Sequence, residues 1–482
     1  MPEESAAWRK WLSPVIHLSG NWISRVGIGM VTTATVLFLF LLPSTLQADV
    51  QHPYLGIAAF LVLPGLFFAG LALIPLGIWL RLRRERRAGV CPVKLEDLPA
   101  RAGELRRLIT FIIVMTVINI GIGGVLTYRA VEYMDSVSFC GKVCHTVMQP
   151  EYTAYQGSPH SRVECVACHI GPGASWFVRS KLSGLWQVYA VTANIYPRPI
   201  PTPIENLRPA RETCEACHWP EKFGADRLRI LPKYSDDETN TLTKTVLLMK
   251  IGGGRRSGRG IHDAHLGPGV SISYWYTDEK RQEIPRVEYK NSTTGRTTLY
   301  ASEGAPAGGI MRQMDCMDCH NRPTHAFEMP DTAVNHAMAD GRIPADLPFV
   351  KKQVVELIQK EYGSQEEAAR AIPAALEQYY QTQYPAVYAA KPAQVRRAGE
   401  GAAAIWARNV FPHMRVTWGT YTNNIGHTEF PGCFRCHDEA HTSADGRAIT
   451  QDCNACHQLL AMEEPAPKIL EELGLEDAAP QK

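Results

Sequence analysis

Three long apolar runs near the start of the chain give way to a polar remainder with no comparable run. Residues 26–42 (VGIGMVTTATVLFLFLL) are long and apolar enough to cross a bilayer as a helix. A second run, residues 54–80, contains Pro64 and Pro75, which a membrane helix tolerates because neighbouring helices satisfy the freed carbonyls. The third spans residues 108–127. Cleavage of the first run as a signal peptide near Ala48 would put Leu46 where a small residue is needed, and some twenty-five residues precede the run, so a retained anchor is expected.

The polar remainder changes character along its length. Tyr196–Pro209 (YPRPIPTPIENLRP) is too proline-rich for helix or strand and reads as a connector. Between about residues 228 and 300, short runs such as KTVLLMKIGG and VSISYWYTD alternate with turn residues, which predicts a small antiparallel sheet. Helical periodicity returns from Asp346 to about Ala404, and a short helix with a loose tail is expected at the end.

Charge orients the membrane part. The connection between the second and third runs carries nine Lys and Arg residues from Arg81 to Arg107, whereas the connection between the first two (PSTLQADVQHP) has none. The basic loop, residues 81–107, and the N-terminus, residues 1–25, are therefore expected in the cytoplasm, and the third helix leads outward. A formal net charge of +2 gives no case for a nucleic-acid partner.

Twelve of the thirteen cysteines fall in six pairs, each followed directly by a histidine. Five pairs are C-x-x-C-H: Cys165/Cys168/His169, Cys214/Cys217/His218, Cys316/Cys319/His320, Cys433/Cys436/His437 and Cys453/Cys456/His457. The sixth, Cys140/Cys144/His145, has one extra residue between its cysteines. C-x-x-C-H is the c-type haem attachment signature, in which both thiols bond the haem and the histidine ligates its iron. Zinc knuckles also use paired cysteines, but have no need of the adjoining histidine. Six copies of haem c are expected, on the periplasmic face of a bacterial cytoplasmic membrane. Cys91, in the basic loop, is expected to be a free thiol on the reducing side.

Ten of the sixteen histidines lie outside the motifs. His17 and His52 adjoin the apolar runs and read as interfacial residues. His160, His262, His265, His325, His336, His413, His427 and His441 are candidates for the second iron ligand, more than five haems require. Met148, three residues beyond His145, is a candidate ligand at the first motif, since methionine is an alternative axial ligand that raises a haem's potential.

The segment from Ser138 to His169, following a membrane helix, together with RPARETCEACHWPEKF, CMDCHNRPTHAF and GCFRCHD, resembles the NapC/NirT family of membrane-anchored multihaem quinol dehydrogenases. Its extended members with three membrane helices resemble almost the whole chain. The fold implied is mainly α with low secondary-structure content, and combines three N-terminal transmembrane helices with a periplasmic multihaem cytochrome c domain bearing a small inserted β region. Domain bounds follow: a membrane domain over 26–128, a four-haem domain over 129–345 with the β insertion at about 228–300, and a helical extension with two more haems over 346–482.

The resemblance also implies roles. Met148 or His145 would ligate the membrane-proximal haem, His160 the haem of the fourth motif, His325 that of the second, and His262 or His265 that of the third. His336, His413, His427 and His441 are left for the last two. Lys181 occupies the place of a quinol-pocket lysine, although membrane-surface snorkelling would also explain it. Family members tend to place an aspartate nearby, whereas here Glu205 is the one acid between Cys165 and Arg211, so Glu132 and Asp135 are the candidate proton acceptors.

The expected activity is quinol:cytochrome c-type oxidoreduction in anaerobic respiration: menaquinol or ubiquinol from the membrane pool is the electron source, and a periplasmic c-type cytochrome or terminal reductase the acceptor. One alternative is an electron wire without its own quinone site, fed by a membrane partner subunit. Another is a catalytic nitrite- or hydroxylamine-type reductase, against which stand the surplus of histidines and the lack of any C-x-x-C-K motif.

Overall fold

The structure is a computed structural model that describes residues 14–46, 62–90, 102–143, 145–204, 207–219, 226–252 and 260–475. The architecture is mainly α with a small β region. The chain forms two compact units, Met1–Cys144 with Lys181–Ile195, and His145–Ser180 with Tyr196–Lys482.

In the first unit the three apolar runs are helices: α1 (Trp22–Leu46), α2 (Leu63–Arg87) and α3 (Ala102–Asp135). Each is long and apolar enough to cross a membrane. Helix α1 packs on α2 through small residues, because a bilayer offers no hydrophobic gain for burying large ones and close backbone approach must supply the attraction instead. A Cβ on Gly27 would stand 2.7 Å from the Gly70 carbonyl oxygen, and one on Gly70 would stand 2.8 Å from that of Gly27. Ser24 Oγ donates to the Ile74 carbonyl at 3.0 Å, just before Pro75. His17, expected as an interfacial residue, sits 3.2 Å from Glu85, which also accepts from Arg81 at 2.8 Å. His52, Cys91 and the first residues of the second apolar run, 54–61, lie outside the described residues.

In the second unit, α4 (His145–Gln156), α5 (Cys165–His169), α6 (Ala174–Thr192, shared with the first unit) and α7 (Ala210–Cys214) precede the β region. Residues 196–204 and 207–209 between α6 and α7 form neither helix nor strand, as their prolines dictate. Strands β1 (Arg227–Tyr234) and β2 (Leu242–Met249), helix α8 (Ile261–Leu266), strands β3 (Val270–Tyr276), β4 (Arg286–Asn291), β5 (Arg296–Ala301) and β6 (Ile310–Gln313), and the turn α9 (Cys316–Cys319) follow.

Five helices then build the main core: α10 (Pro330–Ala339), α11 (Val350–Ile358), α12 (Gln365–Gln383), α13 (Pro385–Ala390) and α14 (Pro392–Asn409). Apolar residues at helical spacing, such as Ile372, Leu376 and Tyr380 on α12 and Ala398, Ala402 and Ile405 on α14, are all but sealed from solvent. Gly399 permits this approach, since a Cβ there would stand 2.8 Å from the Pro373 backbone. Ser364 caps α12 by accepting from the Glu367 amide at 3.1 Å.

The C-terminal segment contributes β7 (Thr442–Ser443), α15 (Cys453–Cys456), β8 (His457–Glu464) and α16 (Lys468–Glu472). Both sheets are antiparallel, ordered β1-β2-β8 and β6-β3-β4-β5-β7. This redraws the boundary expected at residues 345/346. The helical core begins at Pro330, and strands beyond residue 440 complete both sheets of the expected insertion. The late segment thus supplies one strand to each sheet. The start of the expected tail, from Met462, is likewise strand: Glu464 pairs with Lys244.

Candidate haem-binding sites

The C-x-x-C-H motifs fold alike. Each winds into a short turn in which the histidine amide returns to the first cysteine's carbonyl, at 2.7 Å for His218, 2.8 Å for His320 and 3.1 Å for His437. Cys165–His169 is one turn of α-helix, and His457 closes on Cys453 in the same way. Three to four residues make one helical turn, so this spacing sets both thiols and the imidazole around a single turn.

The stretched first motif differs for a physical reason. Phe139–Val143 is a π-helical turn, whose wider i→i+5 ring takes up one more residue than an α turn. Ser136 starts it, its carbonyl accepting from the Cys140 amide at 3.2 Å and its hydroxyl from the Phe139 amide at 3.1 Å. Cys144 lies outside the described residues. Met148 is half-buried on α4, one turn beyond His145.

A second imidazole faces each C-x-x-C-H histidine. Ring centroids are 6.3 Å apart for His169 and His325, 5.8 Å for His218 and His160, and 6.3 Å for His320 and His262. The spacing is 5.7 Å for His437 and His265 and 6.3 Å for His457 and His427. Two imidazoles bound trans to one metal have centres about 6 Å apart, since each metal–nitrogen bond is about 2 Å and the ring centre lies about 1 Å beyond. The facing pairs therefore fit a six-coordinate haem iron. Zinc would require several donors converging on one point, and among the described residues no group of three His, Cys, Asp or Glu does so.

Hydrogen bonds orient several of these rings. His325 Nδ1 lies 2.9 Å from the Glu151 carbonyl, His265 Nδ1 2.7 Å from that of Ile261, and His437 Nδ1 2.8 Å from that of Thr450. Nδ1 so engaged leaves Nε2 for a metal. His427 is held instead by stacking on Phe434, with centroids 4.2 Å apart. Burial pushes His169, His262, His265, His320, His325 and His457 below the usual imidazole range, which favours the neutral form that ligates.

The pairing departs from expectation at the third, fourth and fifth motifs, the last being faced by His265 rather than by His336, His413, His427 or His441. His160, expected beside the fourth motif, faces the third, and His262 faces the fourth rather than the third. His325 faces the second motif. His336, His413 and His441 make other contacts. His336 Nδ1 binds Glu328 at 2.7 Å. His441 engages Asp438 at 2.8 Å and the Ile284 carbonyl at 2.6 Å, and His413 lies edge-on to Phe411. A residue count along the chain cannot distinguish these polar anchors from ligands.

The positions between the cysteines also take part, which the motif spacing alone does not reveal. Asp318 is buried and accepts from Tyr274 Oη at 2.6 Å and Arg312 Nε at 2.9 Å. Arg435 donates to the Asp318 carbonyl at 2.6 Å. Successive motifs adjoin in chain order, their thiols within electrostatic reach of one another: Cys168 with Cys217, Cys214 with Cys316, Cys319 with Cys433, and Cys433 with Cys456.

Of the remaining candidates, Glu132 is exposed on the last turns of α3 and paired with Arg129 at 2.8 Å, and Asp135 ends that helix. Lys181 lies on α6.

Comparison with known proteins agrees with this geometry. Residues 104–198 match the NapC/NirT cytochrome c family, N-terminal region. The chain is 43% identical over 451 residues to the cytochrome c-type protein ImcH of Geobacter sulfurreducens, a match covering 91% of this chain and 88% of that one. No solved structure matches. Turned C-x-x-C-H motifs, facing imidazoles and three helices long enough to cross a membrane thus coincide with sequence kinship, and the chain belongs to the NapC/NirT family of membrane cytochromes c that serve electron transport.

Proposed function

We propose that this protein oxidises quinol at the cytoplasmic membrane and delivers the electrons through six haems to a periplasmic acceptor. The observation that carries the reading is the run of neighbouring motifs: the turns at Cys165, Cys214 and Cys316 pack in succession, Arg435 joins the fifth motif to the fourth, and His427 stacks on Phe434 of the fifth while facing His457 of the sixth. A conduit needs such a run. A catalytic reductase needs an open iron position, and each of the five C-x-x-C-H histidines already faces a second imidazole.

Haem, when bound, supplies one-electron iron chemistry. The chain's residues would hold it: the twelve motif cysteines by covalent attachment, and the six motif histidines as ligands together with His325, His160, His262, His265 and His427 at the second to sixth motifs. Met148 is the proposed second ligand at the first.

Quinol gives up two electrons and two protons. Helix α3 continues from its apolar span to Asp135, and the turn bearing Cys140 follows directly, so the first motif stands at the end of a membrane helix. Lys181 is proposed to donate to a quinol oxygen, and Asp135 or Glu132 to accept a proton. Arg84, Arg86 and Arg87 on the last turn of α2 favour a cytoplasmic end there, which puts the haem-bearing part in the periplasm.

The test is reduction of the purified, detergent-solubilised protein by a menaquinol analogue, followed by visible absorbance. Prompt reduction that stops with a quinone-site inhibitor, and that Lys181→Ala slows at unchanged haem content, is the expected result. Full reduction by dithionite with none by quinol would overturn it in favour of a wire fed by a partner subunit.

A further inference from the structure

Helix α8 is under two turns long and carries His262 and His265, three residues apart and so on one face. Their rings face different motifs, His320 of the fourth for His262 and His437 of the fifth for His265. The helix is fastened to the strand before it. The Ile261 amide donates to the Lys250 carbonyl at 2.9 Å and the His262 amide to that of Ile251 at 2.8 Å. The Lys250 amide in turn donates to the Cys456 carbonyl at 2.8 Å. Gly260 makes the entry possible: its φ is +148°, and a Cβ there would stand 2.4 Å from Gly252.

The opposite side is tied as well. Besides the Arg435 bond, Asn424 Nδ2 donates to the Asp318 carbonyl at 3.0 Å, and the Asn424 amide to Asn321 Oδ1 at 2.9 Å.

We propose that α8 is a two-iron bracket. His262 is the second ligand of the haem held by Cys316, Cys319 and His320, and His265 that of the haem held by Cys433, Cys436 and His437. This rests on reading the motifs as haem sites and adds that two neighbouring haems share one rigid ligand-bearing segment. One helical turn would then set the spacing of the two ligand imidazoles, and unwinding the helix would release both together. The fourth and fifth haems form a fixed relay pair, where the family-like core meets the late segment.

The experiment uses full-length haem-loaded protein in detergent. Haem content, spin state and carbon monoxide binding after dithionite reduction are measured for wild type, His262→Ala, His265→Ala and Ala264→Pro. Each alanine variant is expected to turn one haem high-spin and open to carbon monoxide. Ala264→Pro removes the amide that donates to the Gly260 carbonyl at 3.0 Å, and is expected to open two haems at once. All-low-spin alanine variants without carbon monoxide binding would overturn the ligand assignment, and one opened haem in Ala264→Pro would overturn the bracket. If a variant fails to incorporate haem, His262→Met and His265→Met should each keep six-coordination and raise the midpoint of a single haem, and an unchanged redox titration would equally overturn the assignment. A wild-type haem content short of the motif count would count against the haem-site reading itself, a separate outcome.

Discussion

Arg435 reaches from inside one cysteine pair to the backbone carbonyl of Asp318 inside another, at 2.6 Å. The same guanidinium donates to the Arg281 carbonyl at 2.8 Å and to that of Gly432 at 2.8 Å. Three carbonyls are thus satisfied by one charged donor, and two motifs are clamped edge to edge. Arg435→Ala removes three charged hydrogen bonds, although the Asp318 carbonyl keeps another donor, Asn424. It should destabilise the protein by about 2–4 kcal/mol, since hydrogen bonds to charged groups contribute roughly 1.5–3 kcal/mol each and water replaces some. Thermal unfolding followed by Soret absorbance would show it. An unchanged midpoint would mean that the clamp is ornamental.

A buried ion pair supports the histidine facing His169. Arg322 binds Glu151 at 2.9 Å, with the two side chains only 7% and 11% exposed, while His325 Nδ1 rests on the Glu151 carbonyl. Arg322 also lies 4.1 Å from the centre of the Tyr421 ring. Breaking a buried pair from one side costs about 3–5 kcal/mol, because the remaining charge is left unpaired. Arg322→Leu should therefore be the more damaging single change, and Glu151→Gln added to it should recover part of the loss. A double variant worse than the sum of the singles would contradict this account.

These two contacts mark where the sequence stops speaking. The membrane helices were legible because apolar length is a local property, and the motif turns because their spacing is local too. The partners of the motif histidines were only partly legible. His160 and His325 were both within reach of the right neighbourhood, yet the choice between the third and fourth motifs depends on how distant segments cross, which no residue count reveals. His441 and His336 are the same residue type as the facing histidines, and only the folded chain shows them held by Asp438 and Glu328. The late strands lie beyond the expected sheet because the pairing of β8 with β2 is set by the tertiary fold.

Glu328 supplies a pH dependence. Burial alone would raise its pKa, but the hydrogen bond and charge of His336 outweigh it and hold the carboxyl below its usual range. A carboxylate held down in the folded state contributes stability above its unfolded pKa, and that contribution is lost as pH falls through the folded value. Wild type should thus lose stability on acidification from about pH 4 downward more steeply than Glu328→Gln. Melting temperatures of both proteins between neutral and acidic pH check this, and parallel curves would remove Glu328 from the explanation.

In the membrane unit the decisive contact is between backbones. Gly27 and Gly70 each stand where the other's carbonyl would collide with any Cβ, at 2.7 and 2.8 Å. Buried Gly77 repeats the pattern one heptad along α2, where a Cβ would stand 2.4 Å from Ser24 Oγ. Gly65, on the same helix, has nothing within 4 Å of that position. Because lipid tails solvate leucine as well as a neighbouring helix does, close approach and the Ser24 bond to Ile74 must hold α1 against α2. Gly70→Val should separate the pair, lowering the yield of membrane-inserted protein and its thermal stability in detergent, while Gly65→Val changes neither. Equal behaviour of the two variants would mean that the helices are held together by something other than their glycine seam.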